Sequence, residues 1–278
     1  MINFYNRQNP KTYSSFLVAA FLTLTLYTSC KKELIMEPIK DNSAPTSPLI
    51  AKKNPGNETI TLNNSISFSG YQWSVTDSPN ERKAPGNNYW SNKGVWVDQN
   101  GYLHLTLTKD PKSNKWFCTQ LASEHNFGKG TYEFWIEGRV DQLDRNVVFG
   151  LFNYAGVDYF DEMDIEFSKW GTTKNPNLHY TVYPEEFSTA KVWSSSFNFS
   201  LSGPYSVHRI TRSDSSVKFE SQYDFQGTRT NTQTYSSPYI SKKEMPIYMN
   251  LWQFQNKAPA NKKEVEIIIR KFIFTPQL

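Results

Sequence analysis

From about Ser65 onward the chain alternates apolar and polar positions with a period of two and keeps doing so to its end. Tyr102-Leu103-His104-Leu105-Thr106-Leu107-Thr108 alternates strictly, and so does Thr131-Tyr132-Glu133-Phe134-Trp135-Ile136-Glu137. Residues 146–153, 163–167, 178–183, 217–223, 247–252 and 265–274 read as further strands. Turn residues separate them: Asp98-Gln99-Asn100-Gly101, Gly128-Lys129-Gly130, Gly171, Ser202-Gly203-Pro204 and Ser213-Asp214-Ser215-Ser216. No window carries a helical period and no internal repeat is visible. Many short strands at regular spacing predict an all-β sandwich or barrel, in one domain covering residues 65–278.

The first 64 residues follow a different pattern. Arg7 and Lys11 precede an apolar run at 16–26, about eleven residues and too short to span a bilayer. Thr28-Ser29-Cys30 then supplies small residues before a cysteine. This is the layout of a secretory leader, with residues 1–29 as signal peptide and Cys30 as the lipidated residue of a bacterial lipoprotein. Tyr27 departs from the aliphatic residue usual at its place. Residues 30–64 are rich in Pro, Ser, Asn and Lys and read as a flexible tether. The expected location is the bacterial cell envelope, lipid-anchored to the outer membrane. With Cys30 acylated, Cys118 has no intramolecular partner, so the core must hold the fold without disulfides.

Composition adds two constraints. The net charge of +4 is mild and its Lys and Arg are scattered, so nucleic acid is excluded as a partner. Eight Trp and sixteen Tyr exceed what a core alone requires and suit a groove that stacks flat ligands.

The chemistry concentrates in Asp161-Glu162-Met163-Asp164-Ile165-Glu166-Phe167. On a strand, Met163, Ile165 and Phe167 share one face, and Glu162, Asp164 and Glu166 the other. Three acids in a row with no interleaved cation are costly unless water solvates them or they do chemistry. The Cα atoms of Glu162 and Glu166 should lie roughly 13 Å apart, at about 3.3 Å per residue. Side chains leaning together bring the carboxyls to about 5–6 Å, the spacing of a retaining glycosidase. Asp164 between them would hydrogen-bond to one Glu and help keep one member of the trio protonated. Spacing alone leaves open a solvated acidic stripe or a calcium site built from carboxylates.

The segment resembles the signature of family 16 glycoside hydrolases, closest to the lichenase version, in which acid-x-acid-x-acid runs without an extra residue. Asn88-Tyr89-Trp90-Ser91-Asn92, Val95-Trp96-Val97, Phe127-Gly128-Lys129-Gly130-Thr131-Tyr132-Glu133, Phe152-Asn153-Tyr154 and Met249-Asn250-Leu251-Trp252 are similar to other family segments, in order, over roughly 90–274. The resemblance implies a concanavalin A-like jelly roll of two antiparallel sheets with a concave groove, and retaining cleavage of a β-linked polysaccharide. It also implies Glu162 as nucleophile, Asp164 as assisting acid and Glu166 as general acid/base. Lichenase-like enzymes carry a Glu and an Arg where this chain has Gln120 and Ala122. The partner of the cysteine matched by Cys118 is missing, and Phe160 stands where Trp is common. These departures leave the polysaccharide and its linkage open.

Parity adds substrate contacts. Tyr248, Asn250 and Trp252 share a face, and an indole beside an amide suits a sugar. His179 and Tyr183 share a parity just after the acid strand. Trp170 would line the groove if the acid strand continued, Trp90 is a stacking platform by its family position, and Gln120 lines the groove in the place of a Glu. His104 is expected to be structural, and the four histidines show no metal-ligand spacing. No cofactor is expected. A structural calcium is common among such sandwiches, but no ligand set stands out. The remaining expectations are a monomer, with a non-catalytic glycan-binding lipoprotein or a transglycosylase as the rival functions.

Overall fold

The structure is a computed structural model that describes residues 64–277. Cys30, the leader 1–29 and the tether expected at 30–64 lie outside the described residues, apart from Asn64. Seventeen strands are described. They are β1 (Ser65–Phe68), β2 (Tyr71–Val75), β3 (Ser78–Lys83), β4 (Asn88–Trp90), β5 (Val95–Val97), β6 (Leu103–Lys109), β7 (Trp116–Ser123), β8 (Gly130–Glu137) and β9 (Val147–Tyr154). Then come β10 (Glu162–Ser168), β11 (Leu178–Tyr183), β12 (Trp193–Phe197), β13 (Tyr205–Arg212), β14 (Ser216–Tyr223), β15 (Thr230–Ser236), β16 (Ile247–Gln253) and β17 (Val265–Pro276).

Strand pairing gives two antiparallel sheets. The first runs β1-β2-β7-β16-β9-β10-β11-β12. The second runs β5-β6-β17-β8-β13-β14-β15. The arrangement is a jelly-roll sandwich, as expected, with two additions. The β3–β4 hairpin joins the first sheet through a parallel β4–β7 pairing, and β6–β7 links the two sheets at one corner.

Alternation built the core. Met163, Ile165 and Phe167 of β10, Phe149 and Leu151 of β9, and Ile247, Met249 and Leu251 of β16 are fully buried. Tyr132, Phe134 and Ile136 of β8 meet them from the second sheet. Each such side chain contributes about 1.5–3 kcal/mol by leaving water. Because Met163, Ile165 and Phe167 must point inward, the register forces Glu162, Asp164 and Glu166 outward together. Not every inward position is apolar. On β13 they are Ser206, His208, Ile210 and Arg212, all fully buried. His208 is bonded through Nδ1 to Ser221 Oγ at 2.8 Å and through Nε2 to Ser206 Oγ at 2.9 Å, and burial lowers its pKa to about 3. His104 is structural, stacked on Trp96 and bonded to Glu266.

Candidate active site

The register of the first sheet sorts its outer face into rows that cross the strands. The first row is Tyr183–Glu162–Tyr154. The second is Thr181–Asp164–Phe152–Tyr248–Ala122. The third is His179–Glu166–Gly150–Asn250–Gln120, and the fourth carries Ser168, Val148 and Trp252. The three acids thus occupy successive rows of one strand, flanked by aromatics in the first two rows and by amides in the third.

The floor of this face is recessed. Asp164 and Asn250 are each 3% exposed and Trp252 is 8% exposed, whereas Glu162, Glu166, Tyr154, Phe152, Tyr183 and Tyr248 remain partly open. Gly150 makes the recess possible beside Glu166. A Cβ there would meet Asn250 Oδ1 at 2.6 Å, so only glycine lets the amide lie flat across that row. Asn250 Nδ2 donates to Gln120 Oε1 at 3.4 Å, and Gln120 Nε2 donates to Thr76 Oγ1 at 3.3 Å. Phe152 and Tyr248 stack at 5.1 Å, with Tyr154 edge-on to Tyr248 at 6.0 Å.

Burial governs the electrostatics. Glu162 is held well above the ordinary carboxyl range, first by loss of water and then by the charges of Asp164, Glu166 and Asp158. Glu166 is raised in the same way, by burial and then by Asp164. Burial pushes Asp164 up to about 7, against the pull of a hydrogen bond from Thr181. Asp164 was expected to bond to a glutamate. Its hydrogen-bond partner is instead the Thr181 hydroxyl across the register pair. The trio titrates as one group that keeps a proton near neutrality, so it can offer a proton donor and a carboxylate side by side.

Three buried polar atoms on this floor have no partner within the protein: Asp164 Oδ1, Asn250 Oδ1 and Trp252 Nε1. Buried polar atoms are normally hydrogen-bonded.

The other expected contacts divide. Tyr183 is the register partner of Glu162 and stays partly open. Trp252 lies on the site face, with Gly86 so close over it that a Cβ there would meet the indole at 2.7 Å. Trp170 reaches the same place by another route. The strand ends at Ser168, Trp170 takes φ +48 in the turn, and its ring packs 6.4 Å from Trp252 and 5.5 Å from His179. Trp90 is not a platform. It is fully buried on β4, where the parallel pairing with β7 tucks it under the hairpin and its Nε1 donates to Lys83 O at 3.2 Å. His179 shares the row of Glu166 but is buried, with Nδ1 on Ser196 Oγ and Nε2 on Ser168 O. The carbonyl can only accept, so Nε2 carries the proton and the ring holds the turn that carries Trp170. The sequence reading did not assign Gly150, Phe152 and Tyr154 to the site. Their signal was the antiparallel pairing of β9 with β10, which puts every second residue of β9 on the acidic face. Cys118 is buried and unpaired, and burial raises its thiol pKa. Among the described residues no group of three or more His, Cys, Asp or Glu is arranged to hold a metal ion.

Comparison with known proteins places this geometry. No protein-family model matches the sequence. A curated β-glucanase of Paenibacillus polymyxa is 34% identical over 95 residues, which is 33% of this chain and 38% of that protein. The matching stretch thus spans well under half of that relative. Among solved structures, a Bacillus licheniformis β-glucanase superposes with a TM-score of 0.54 at 21% identity, covering 74% of this chain and 92% of the other. A lichenase from a mouse hindgut metagenome superposes with a TM-score of 0.54 at 17% identity, covering 74% and 93%. An immunostimulatory antigen of Mycobacterium tuberculosis described as a pseudo β-1,3-glucanase gives 0.53 at 19%, covering 73% and 89%. The chain therefore has the β-glucanase jelly-roll fold.

Proposed function

We propose that the protein is a retaining endo-glycoside hydrolase of a β-linked glucan or a related polysaccharide. The observation that carries this reading is the placement of Glu162, Asp164 and Glu166 on successive rows of one recessed face, with their pKa values raised. The similarity to a β-glucanase agrees with it. Glu162 attacks the anomeric carbon and forms a glycosyl-enzyme, while Glu166 gives its proton to the leaving oxygen. Water then attacks the anomeric carbon and breaks its bond to Glu162, Glu166 takes the water's proton, and net configuration is retained. Asp164 lies between them, and its charge beside the two glutamates favours one member of the trio holding its proton. Asn250 and Gln120 meet sugar hydroxyls, and Trp252, Trp170 and Tyr183 pack against ring faces. Contacts made along the bound chain favour distortion of the sugar at the cleaved bond.

Gln120 and Ala122 favour a second reading, a non-catalytic glycan-binding protein, because the face lacks the two charged groups those places carry in lichenase-like enzymes. A panel of β-linked polysaccharides, with proton NMR of the first-formed products, separates the two. The hydrolase reading expects chain cleavage with retained β configuration. Inverted products contradict the mechanism, and binding without cleavage favours the second reading. The anchor is tested separately. Cys30→Ser should move the protein from the membrane fraction to the soluble fraction of the envelope, and unchanged membrane association would rule out acylation at this cysteine.

A further inference from the structure

The residue ahead of Glu162 is Asp161, whose backbone lies in the left-handed region at φ +49. Its side chain is fully buried. One oxygen, Oδ2, accepts from Lys243 Nζ at 2.7 Å and from the Glu186 N–H at 3.2 Å. Lys243 Nζ also donates to the Glu186 carboxylate at 2.8 Å. The backbone of Asp161 is tied at both ends: its N–H donates to Pro184 O at 2.8 Å, and its carbonyl accepts from the Ala155 N–H at 3.2 Å. Its other oxygen, Oδ1, has no partner in the protein, and the charge of Asp161 is felt at Arg212 only behind those of Tyr132 and Glu244. Arg212 is itself fully buried, with Nη2 on Phe127 O at 3.2 Å and both Nε and Nη1 unpartnered.

This is an expensive arrangement to keep in a loop. A buried carboxylate needs cations and hydrogen bonds to offset its lost hydration, and non-glycine residues avoid the left-handed region. Both features meet at the residue just before β10. Glu162 is the first residue of that strand, so its pairing alone would leave it free to fray. The bonds at Asp161 remove that freedom. Lys243 sits on the segment leading into β16, so the same contact ties the start of the acid strand to the strand that carries Tyr248, Asn250 and Trp252. We propose that Asp161 is a positioning residue for Glu162, held by Lys243 and by its bonds to the backbone of Ala155, Pro184 and Glu186. The proposal rests on Glu162 being the nucleophile. It adds that the accuracy of attack is set by an ion cluster outside the substrate-binding face.

The test uses Lys243, whose side chain is 45% exposed and whose loss leaves the core packing intact. Lys243→Gln is expected to lower kcat roughly tenfold or more with KM changed by less than about twofold, since small misplacements of a reacting group are costly. Lys243→Arg restores most of the loss. The double variant Asp161→Asn with Lys243→Gln, which leaves no unpaired buried carboxylate, recovers melting temperature but not kcat. Crystal structures of wild type and Lys243→Gln supply an independent readout. The Glu162 carboxyl should move while Asp164 and Glu166 stay. A kcat that falls only in step with melting temperature and returns in the double variant would overturn the proposal, as would an unmoved Glu162. A wild type that cleaves no glucan would remove the functional reading, and the Glu162 displacement would still decide this one.

Discussion

Asp164 is 3% exposed, and its pKa is pushed from an ordinary 3.8 up to about 7. The folded state therefore binds this proton more tightly than the unfolded chain does. Its contribution to stability is fully present below about pH 4 and is lost as pH rises through 7. Asp164→Asn should accordingly melt close to wild type at pH 4 and several degrees above it at pH 8, each kcal/mol being worth roughly 2–4 °C in a domain of this size. Thermal melts across that range check it, and a variant destabilised at pH 8 would contradict the burial argument. The acids were legible because period-two alternation places them on one face without further information. Trp90 and His179 were not. Parity and family position report which face a residue belongs to, but not whether a hairpin covers it or a neighbouring carbonyl binds it.

Among the elements, β9 and β10 illustrate what pairing adds to pattern. The apolar run of β9 showed a strand, yet its outward residues were assigned a role only once the register set Gly150 opposite Glu166 and Phe152 opposite Asp164. Gly150→Ala should therefore raise KM strongly while lowering stability by about 1–3 kcal/mol, because its Cβ would displace the Asn250 amide. Steady-state kinetics with unchanged KM would show that the amide does not contact substrate. Three of the elements missed in the sequence carry little apolar alternation. β12 reads Trp-Ser-Ser-Ser-Phe, β15 reads Thr-Asn-Thr-Gln-Thr-Tyr-Ser, and β13 turns Ser206, His208 and Arg212 inward. Edge strands need only one partner and little apolar surface. A buried strand satisfied by side-chain hydrogen bonds hides its parity.

On the scale of the whole molecule, alternation and turn spacing narrowed the fold to an all-β sandwich or barrel, and the family resemblance supplied the jelly roll. The extra corner pairing of β6 with β7 and the parallel β4–β7 contact depend on long-range packing that no local pattern carries. Rows that cross five strands of one sheet suit a polymer lying across the molecule. Cleavage should then be internal, with solution viscosity falling well before reducing ends accumulate. Proportionate loss of both would mean attack from chain ends. Glu162 as the attacking carboxylate is the claim on which the rest depends, and chemical rescue tests it most directly. Glu162→Ala should lose cleavage, and added azide should restore part of it, releasing a glycosyl azide of α configuration. Unchanged activity in the variant, or rescue that yields β products, would contradict the account.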